Sequence, residues 1–279
     1  MMDVHIRDEK GLERKIEQFK VKGASGFHVV SDFDRTLTKA FVKGKKDSSV
    51  IAKIRDGKYL TEDYPKRAYD LFDEYHPFEM DPDLSAEERD KKMIEWWEKH
   101  FDLLIECGMN MDVVRDIIEK GKIQVRDGIF EFFDVLSKHN VPLLIFSAGP
   151  GDIIKEYLKS VGKLYGNTHL VSNLFKFNED GVAVGYNRPV IHTFNKNEVQ
   201  VKGLPYSREI KERRNVLLLG DSLGDLGMSE GIEHDCIIRV GFLNEKVDEL
   251  FDRYMEAFDV VLLNDADFSY VNDLVRKII

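Results

Sequence analysis

Five short stretches of the chain are almost wholly apolar: "FHVV" (27–30), "VPLLIFSAG" (141–149), "NVLLLGD" (215–221), "CIIRVGFL" (236–243) and "DVVLLND" (259–265). None shows the in-out alternation of a strand with one wet face. Runs of this length without alternation predict strands buried on both sides, as in a parallel sheet. Between them the apolar spacing changes to that of helices. Leu12, Ile16 and Phe19 share one face in residues 8–22, and Gly23 is a stop. Residues 127–140, 150–162, 244–258 and 266–278 repeat the pattern, and residues 169–186 read as a strand and a hairpin turning at Asp180-Gly181. Strands alternating with helices predict an α/β fold, a doubly wound parallel sheet with right-handed crossovers.

The alternation is interrupted after Thr38. Residues 40 to about 124 are rich in charges and aromatics and read as helices throughout. In "SAEERDKKMIEWWEKHFDLLIE" (85–106), Ser85 and Glu88 form the pattern of a capping box. "MDVVRDIIEKG" (111–121) ends at Gly121, an ordinary helix stop. The organisation predicted is a core of residues 1–38 and 125–279 with a helical insertion at 39–124.

Composition narrows the partners. The chain has 279 residues, 43% hydrophobic and 33% charged, with a formal net charge of −10. Acidity on this scale disfavours a surface that tracks a nucleic-acid backbone. No apolar run approaches the roughly 18 residues of a membrane span. The N-terminal "MMDVHIRDEKGLERK" has no apolar signal core, and Cys107 and Cys236 form no C-x-x-C pair. These features predict a cytoplasmic protein with two buried thiols, and no leftover apolar stripe argues against a monomer.

In open α/β sheets the chemistry gathers at the carboxyl ends of the strands. The first buried strand ends in Asp32-Phe33-Asp34 with Thr36 following; the second ends in Ser147-Ala148-Gly149; the third ends in Asp221-Ser222, with Asp225 four residues after Asp221. Four carboxylates at one edge repel strongly without a cation. A hard divalent ion such as Mg²⁺, bound by Asp32, Asp34, Asp221 and Asp225, resolves that conflict. The Ser147 hydroxyl and the amides of Ala148 and Gly149, just ahead of a helix, suit a phosphate. Lys196 in "HTFNKNEV" could balance its charge, although nothing local selects it from the other lysines. Asp32 and Asp34 point the same way along an extended chain. One can attack phosphorus while the other moves the proton, so the second is expected to be the less charge-stabilised of the two.

"DFDRTLT", "FSAG", "FNK" and "LLGDSLGD" occur in that order and resemble the four motifs of the haloacid dehalogenase superfamily of phosphatases. "YHPFEMDPDLSAEE", "MIEWW", "VSNLFKFNEDGV" and "IHTFNKNE" carry the resemblance into the insertion, and are similar to the cytosolic 5′-nucleotidase III, or pyrimidine 5′-nucleotidase, family. The resemblance covers nearly the whole chain. It implies a Rossmann-like core, a helical cap, and Mg²⁺-dependent release of phosphate from nucleoside 5′-monophosphates such as CMP, UMP or 7-methyl-GMP. It implies Asp32 as nucleophile, and Asp34 as general acid/base whose main-chain carbonyl also meets the metal. Thr36, Ser147 and Lys196 fall on phosphate-holding positions, Asp221 on a metal ligand, and Asp225 on the acid supporting the metal shell. In the cap, Glu79 matches a glutamate that reads the base. Trp96 and Trp97 fall near the nucleobase, one expected in the cap core and the other on the cleft. Arg35 fills the variable slot of the first motif, and His100 falls where the family has a base-reading serine. An aspartyl-phosphate is also open to attack by a nucleoside hydroxyl, which predicts a phosphotransferase side activity. The rivals are a phosphoserine-type phosphatase, also capped after its first motif, and a silent nucleotide-binding module.

Overall fold

A computed structural model describes residues 3–81, 83–197 and 203–279. Its main sheet has seven strands: β1 (Val4–Ile6), β2 (Phe27–Ser31), β5 (Leu143–Pro150), β6 (Thr168–Asn173), β9 (Asn215–Gly220), β10 (Cys236–Leu243) and β11 (Val260–Leu263). They lie in the order β1-β11-β10-β9-β2-β5-β6. All neighbours run parallel except β1, which pairs antiparallel with β11. Three residues are too few to leave a periodic signal, so this edge strand was not foreseen.

The absence of alternation has a direct cause. Phe27 and Val29 of β2 face one apolar layer and Val30 faces the other; Leu217 and Leu219 of β9 are separated from Val216 and Leu218 in the same way. Helices cover both faces: α1 (Glu9–Lys20), α6 (Ile129–Lys138), α7 (Gly151–Ser160), α9 (Val247–Ala257) and α10 (Ser269–Ile278). The chain runs from β2 outward through β5 and β6, then returns to β9 on the other side of β2. That reversal brings the carboxyl ends of β2, β5 and β9 together, where a doubly wound sheet opens a crevice. A short α8 (Pro205–Glu209) precedes β9. The helix expected soon after Lys196 falls partly on residues 198–202, outside the described residues.

The insertion is not helical throughout. It opens with a two-stranded hairpin, β3 (Phe41–Val42) and β4 (Lys45–Lys46). Lys43 and Gly44 between them have φ of 51° and 73°. Positive φ at both central residues is the geometry of a two-residue hairpin turn, and "KG" was its overlooked signal. Four helices follow: α2 (Val50–Asp56), α3 (Tyr64–Met80), α4 (Ala86–Glu106) and α5 (Met111–Glu119). The Ser85–Glu88 capping box forms as expected. The second hairpin, β7 (Phe175–Phe177) and β8 (Ala183–Tyr186), lies against α4, where the Phe101 ring meets Phe175 at 5.1 Å and Tyr186 at 5.2 Å. One apolar cluster therefore runs from the sheet into the inserted helices.

Arg126 re-enters the core from this insertion and is 1% exposed. Its Nε donates to the Thr36 carbonyl at 2.8 Å, and Nη2 donates to the Arg35 carbonyl at 2.5 Å and to Asn244 Oδ1 at 2.8 Å. Nη1 donates to the Ala266 carbonyl and pairs with Asp265 at 2.9 Å. One guanidinium thus ties the turn after Asp34 to the loops after β10 and β11. Burial pulls its pKa down to about 10, against the pull of Asp265. Replacing it leaves several buried acceptors and a carboxylate unmatched. Arg126→Leu is expected to cost about 3–5 kcal/mol of stability, read as a lower urea midpoint at unchanged m.

Candidate active site

Asp32 stands one residue beyond β2, and its N–H continues the ladder by donating to the Leu219 carbonyl at 3.0 Å. Lys196 Nζ donates to Asp32 Oδ1 at 2.5 Å and to Asp225 Oδ1 at 3.3 Å. All three side chains are buried. Asp225 Oδ2 accepts from the Asp221 amide at 3.2 Å, the Ser222 amide at 3.0 Å and the Ser222 hydroxyl at 2.9 Å. Both its oxygens are therefore committed to holding the turn and the lysine. Among the described residues, Asp32, Asp221 and Asp225 offer carboxylate oxygens all within 4.8 Å of one another. Three hard oxygen donors at this spacing fit a small divalent cation. The Asp34 carboxylate is aimed elsewhere: its Oδ1 accepts the Val50 amide of α2 at 3.0 Å.

The electrostatics point the same way. Burial pushes Asp32 up to about 7; Lys196 opposes this and the nearby Asp225 adds to it. Burial and the charges of Asp32 and Asp225 raise Asp221 well above the usual carboxylate range. Lys196 stays charged despite burial because Asp32 and Asp225 face it. Burial raises Asp34 only to about 6, with the Val50 amide, Lys196 and Lys53 holding it down. Both acids are thus raised by burial, and Asp32 further by the charge of Asp225. Asp32 lies inside the crowd of carboxylates and Asp34 outside it.

The carboxyl end of β5 lies directly against Asp34. A methyl group on Gly149 would stand 3.4 Å from Ser147 Oγ and 3.7 Å from Asp34 Oδ2. Ser147 is buried and its Oγ accepts the Gly149 amide at 3.1 Å, so its own hydrogen remains available to a ligand. The Gly149 amide is consequently engaged within the loop rather than free for an anion. Ala148 and Gly149 also belong to β5, and α7 begins two residues later. Thr36 is fully buried and its Oγ1 has no protein partner.

Asn173, at the end of β6, was not foreseen. Its Nδ2 donates to the Ala148 carbonyl at 2.7 Å and the Ile191 carbonyl at 2.8 Å, and its Oδ1 accepts the Ile191 amide at 2.8 Å. It joins the Ser147 loop to the segment carrying Lys196. The strand-end rule, applied to β6 as well, would have found it.

Beside Asp34 a cavity of about 510 Å³ opens toward the inserted helices, and Arg35, Ser49, Arg55, Trp96, Trp97 and His100 are among its lining. Both tryptophans line it, so the division of one into the cap core and one onto the cleft does not hold. Trp96 stacks on Tyr75 and meets Phe72 edge-on, and Trp97 packs on Phe101. Each indole has one side packed and another left for the cavity. Glu79 is not in that lining. It sits half-buried near the end of α3, where Oε1 accepts the Thr193 hydroxyl at 3.1 Å.

A family profile for pyrimidine 5′-nucleotidases (UMPH-1) matches residues 35–279. The chain belongs to this family. It is 37% identical over 274 residues to the 7-methylguanosine phosphate-specific 5′-nucleotidase A of Xenopus laevis, covering 98% of this chain and 94% of that one. It is 36% identical over 277 residues to the Homo sapiens 7-methylguanosine phosphate-specific 5′-nucleotidase, covering 99% and 92%. The crystal structure of cytosolic 5′-nucleotidase IIIB bound to cytidine superposes with a TM-score of 0.88 at 31% identity, over 99% of this chain and 93% of that one. A substrate-bound phosphoserine phosphatase shares the fold alone, with a TM-score of 0.53 at 14% identity. The protein is thus a 5′-nucleotidase with the α/β fold of the haloacid dehalogenase superfamily. No helix among the described residues is long and apolar enough to cross a membrane.

Within this 5′-nucleotidase, His100 has a distinctive setting. It is buried in α4, where Nε2 and the Tyr64 hydroxyl share a hydrogen bond of 3.2 Å. Burial, and secondarily Arg55, lower its pKa to about 4. The folded form therefore resists the proton that the unfolded chain accepts near 6.5. Its contribution to stability is complete above about pH 6.5 and is lost as pH falls toward 4. Between pH 7.5 and 5 the loss attributable to this ring is roughly 2 kcal/mol. In urea melts, the unfolding free energy of wild type should fall between the two pH values by about 2 kcal/mol more than that of His100→Phe.

Proposed function

We propose that this 5′-nucleotidase hydrolyses nucleoside 5′-monophosphates through an aspartyl-phosphate on Asp32, with Mg²⁺ held by Asp32, Asp221 and the Asp34 main-chain carbonyl, and with Asp225 supporting that shell. The observation that carries the reading is the buried set of three carboxylates bridged by Lys196 next to a second, differently placed acid, Asp34. The metal, when bound, supplies positive charge to the carboxylates and the substrate phosphate. In its ionised form Asp32 acts as the nucleophile. Its oxygen bonds to phosphorus, the bond to the nucleoside 5′-oxygen breaks, and Asp34 gives that oxygen a proton. Water then attacks the same phosphorus and passes a proton to Asp34, which releases phosphate and restores Asp32. A carboxyl poised near 6 can serve in both directions around neutral pH. Lys196, the Ser147 hydroxyl and the buried Thr36 hydroxyl hold the phosphate oxygens.

The base enters the cavity beside Asp34. Indole faces stack on any nucleobase and attract a cationic one, so CMP, UMP and 7-methyl-GMP are all taken as substrates. Among the described residues Glu79 is engaged through Oε1 by Thr193, and its Oε2 would meet a polar group of the nucleoside. A cytosolic setting is part of this reading, supported by the 34% identity over 277 residues to a Caenorhabditis elegans protein named putative cytosolic 5′-nucleotidase 3.

Asp32→Asn should abolish phosphate release with the far-ultraviolet spectrum unchanged, and chelated wild-type enzyme should recover on adding Mg²⁺. Turnover retained by Asp32→Asn would refute the aspartyl-phosphate. A second measurement addresses the base: phosphate release from CMP, UMP, 7-methyl-GMP and phosphoserine, by wild type and Glu79→Ala. Nucleotides should be cleaved and phosphoserine spared, and Glu79→Ala should change the order of the nucleotides. An unchanged order would remove Glu79 from base recognition.

A further inference from the structure

Three consecutive residues just before Lys196 are each contacted by a different side chain of the inserted helices. The Thr193 hydroxyl donates to Glu79 Oε1 of α3 at 3.1 Å. The Phe194 ring lies under the Arg89 guanidinium of α4, 5.1 Å from its centroid. His192 Nε2 lies 3.1 Å from Asp90 Oδ1, also of α4. His192 is fully buried, and its Nδ1 accepts the Phe194 amide at 3.3 Å. With Nδ1 an acceptor, the neutral ring carries its hydrogen on Nε2, toward Asp90. That contact lacks the alignment of a good hydrogen bond, so it acts mainly as the attraction of a carboxylate for a polar N–H.

The turn is fixed from below as well. Asn195 Oδ1 accepts the His192 amide at 2.8 Å, and its Nδ2 donates to the Val190 carbonyl at 2.9 Å. Asn173 holds Ile191 and the Ser147 loop together. Arg89 is itself braced by the chain between α3 and α4, donating to the carbonyls of Asp81 and Leu84. The Lys196 ammonium has to stand 2.5 Å from Asp32 at the end of a flexible stem. Where it stands is decided by the backbone of 192–195, and that backbone is clamped between core asparagines and cap side chains.

We propose that Asp90 and Phe194 are positioning residues for Lys196, so that the seating of the cap on this turn sets the charge that meets the phosphate. The inference rests on the reading of Lys196 as a phosphate-holding residue. Neither residue touches the reacting atoms in this account, so their loss should act on the phosphate step whatever the leaving group.

Asp90 and Phe194 are 46% and 39% exposed, so truncating them should leave the fold intact. Asp90→Ala and Phe194→Ala would be assayed on CMP and on base-free p-nitrophenyl phosphate, with inorganic phosphate as inhibitor. Each variant is expected to lose about tenfold in kcat/KM by the same factor on both substrates, since small misplacements of a reacting group carry losses of this order or more. Phosphate inhibition should weaken in parallel, and Phe194→Tyr, which keeps a ring under Arg89, should stay near wild type. Alanine variants within twofold of wild type on both substrates would overturn the inference. So would a loss on CMP with p-nitrophenyl phosphate spared, which would assign the contacts to base recognition. A wild-type enzyme inert on both substrates would instead remove the phosphate-site reading beneath it.

Discussion

The ammonium of Lys196, buried between Asp32 and Asp225, is the interaction on which the rest of this structure turns. Carboxylates crowded at the ends of parallel strands cannot stay charged in a dry crevice without compensation. One lysine offsets part of that charge, which is why Asp32 and Asp221 remain pushed upward while Lys196 keeps its proton. The carboxylate charge left over is compatible with a divalent cation. Stability and chemistry therefore make the same demand on this edge of the sheet.

Holding that charge in place requires loops distant in sequence to be fixed relative to one another. Arg126 does this on one side, gathering the carbonyls after Asp34 and the loops after β10 and β11. Asn173 does it on the other, joining the Ser147 loop to the Lys196 segment. Each uses one planar polar group with several directed bonds, so the geometry is set by few side chains. The inserted helices add a third constraint through Val50, whose amide holds Asp34, and through the contacts on residues 192–194. The continuous apolar cluster from the sheet into α4 and α5 explains how such a cap can position a group in the core.

The cavity lining distributes roles differently from a reading by motif. Trp96, Trp97 and His100 lie together with Arg35, a residue that occupies a variable slot in the first motif. Glu79, grouped with the tryptophans by resemblance, stands instead against the turn that carries Lys196. The cavity lining and the contacts on the Lys196 turn therefore come from two faces of the same inserted unit. Arg35 adopts a left-handed φ of 61°, which turns the chain sharply after Asp34 and brings its side chain to the cavity wall.

The sequence by itself determined the sheet, the helices on its faces, and the presence of acids at three strand ends. Those features follow from local apolar period and from the rule that open sheets expose their carboxyl ends. It missed β1 and the β3–β4 hairpin, which have too few residues to show a period. It could name Lys196 only through family resemblance, because its partner Asp32 lies 164 residues away. Arg126, 90 residues from Thr36, had no local mark at all, and Asn173 had only its place at a strand end. The separate orientations of Asp34 and Glu79, and the burial that raises both acids, were likewise decided by tertiary structure. The reason is physical: apolar periodicity is a property of neighbouring residues, whereas burial and charge compensation belong to groups that only the folded chain brings together.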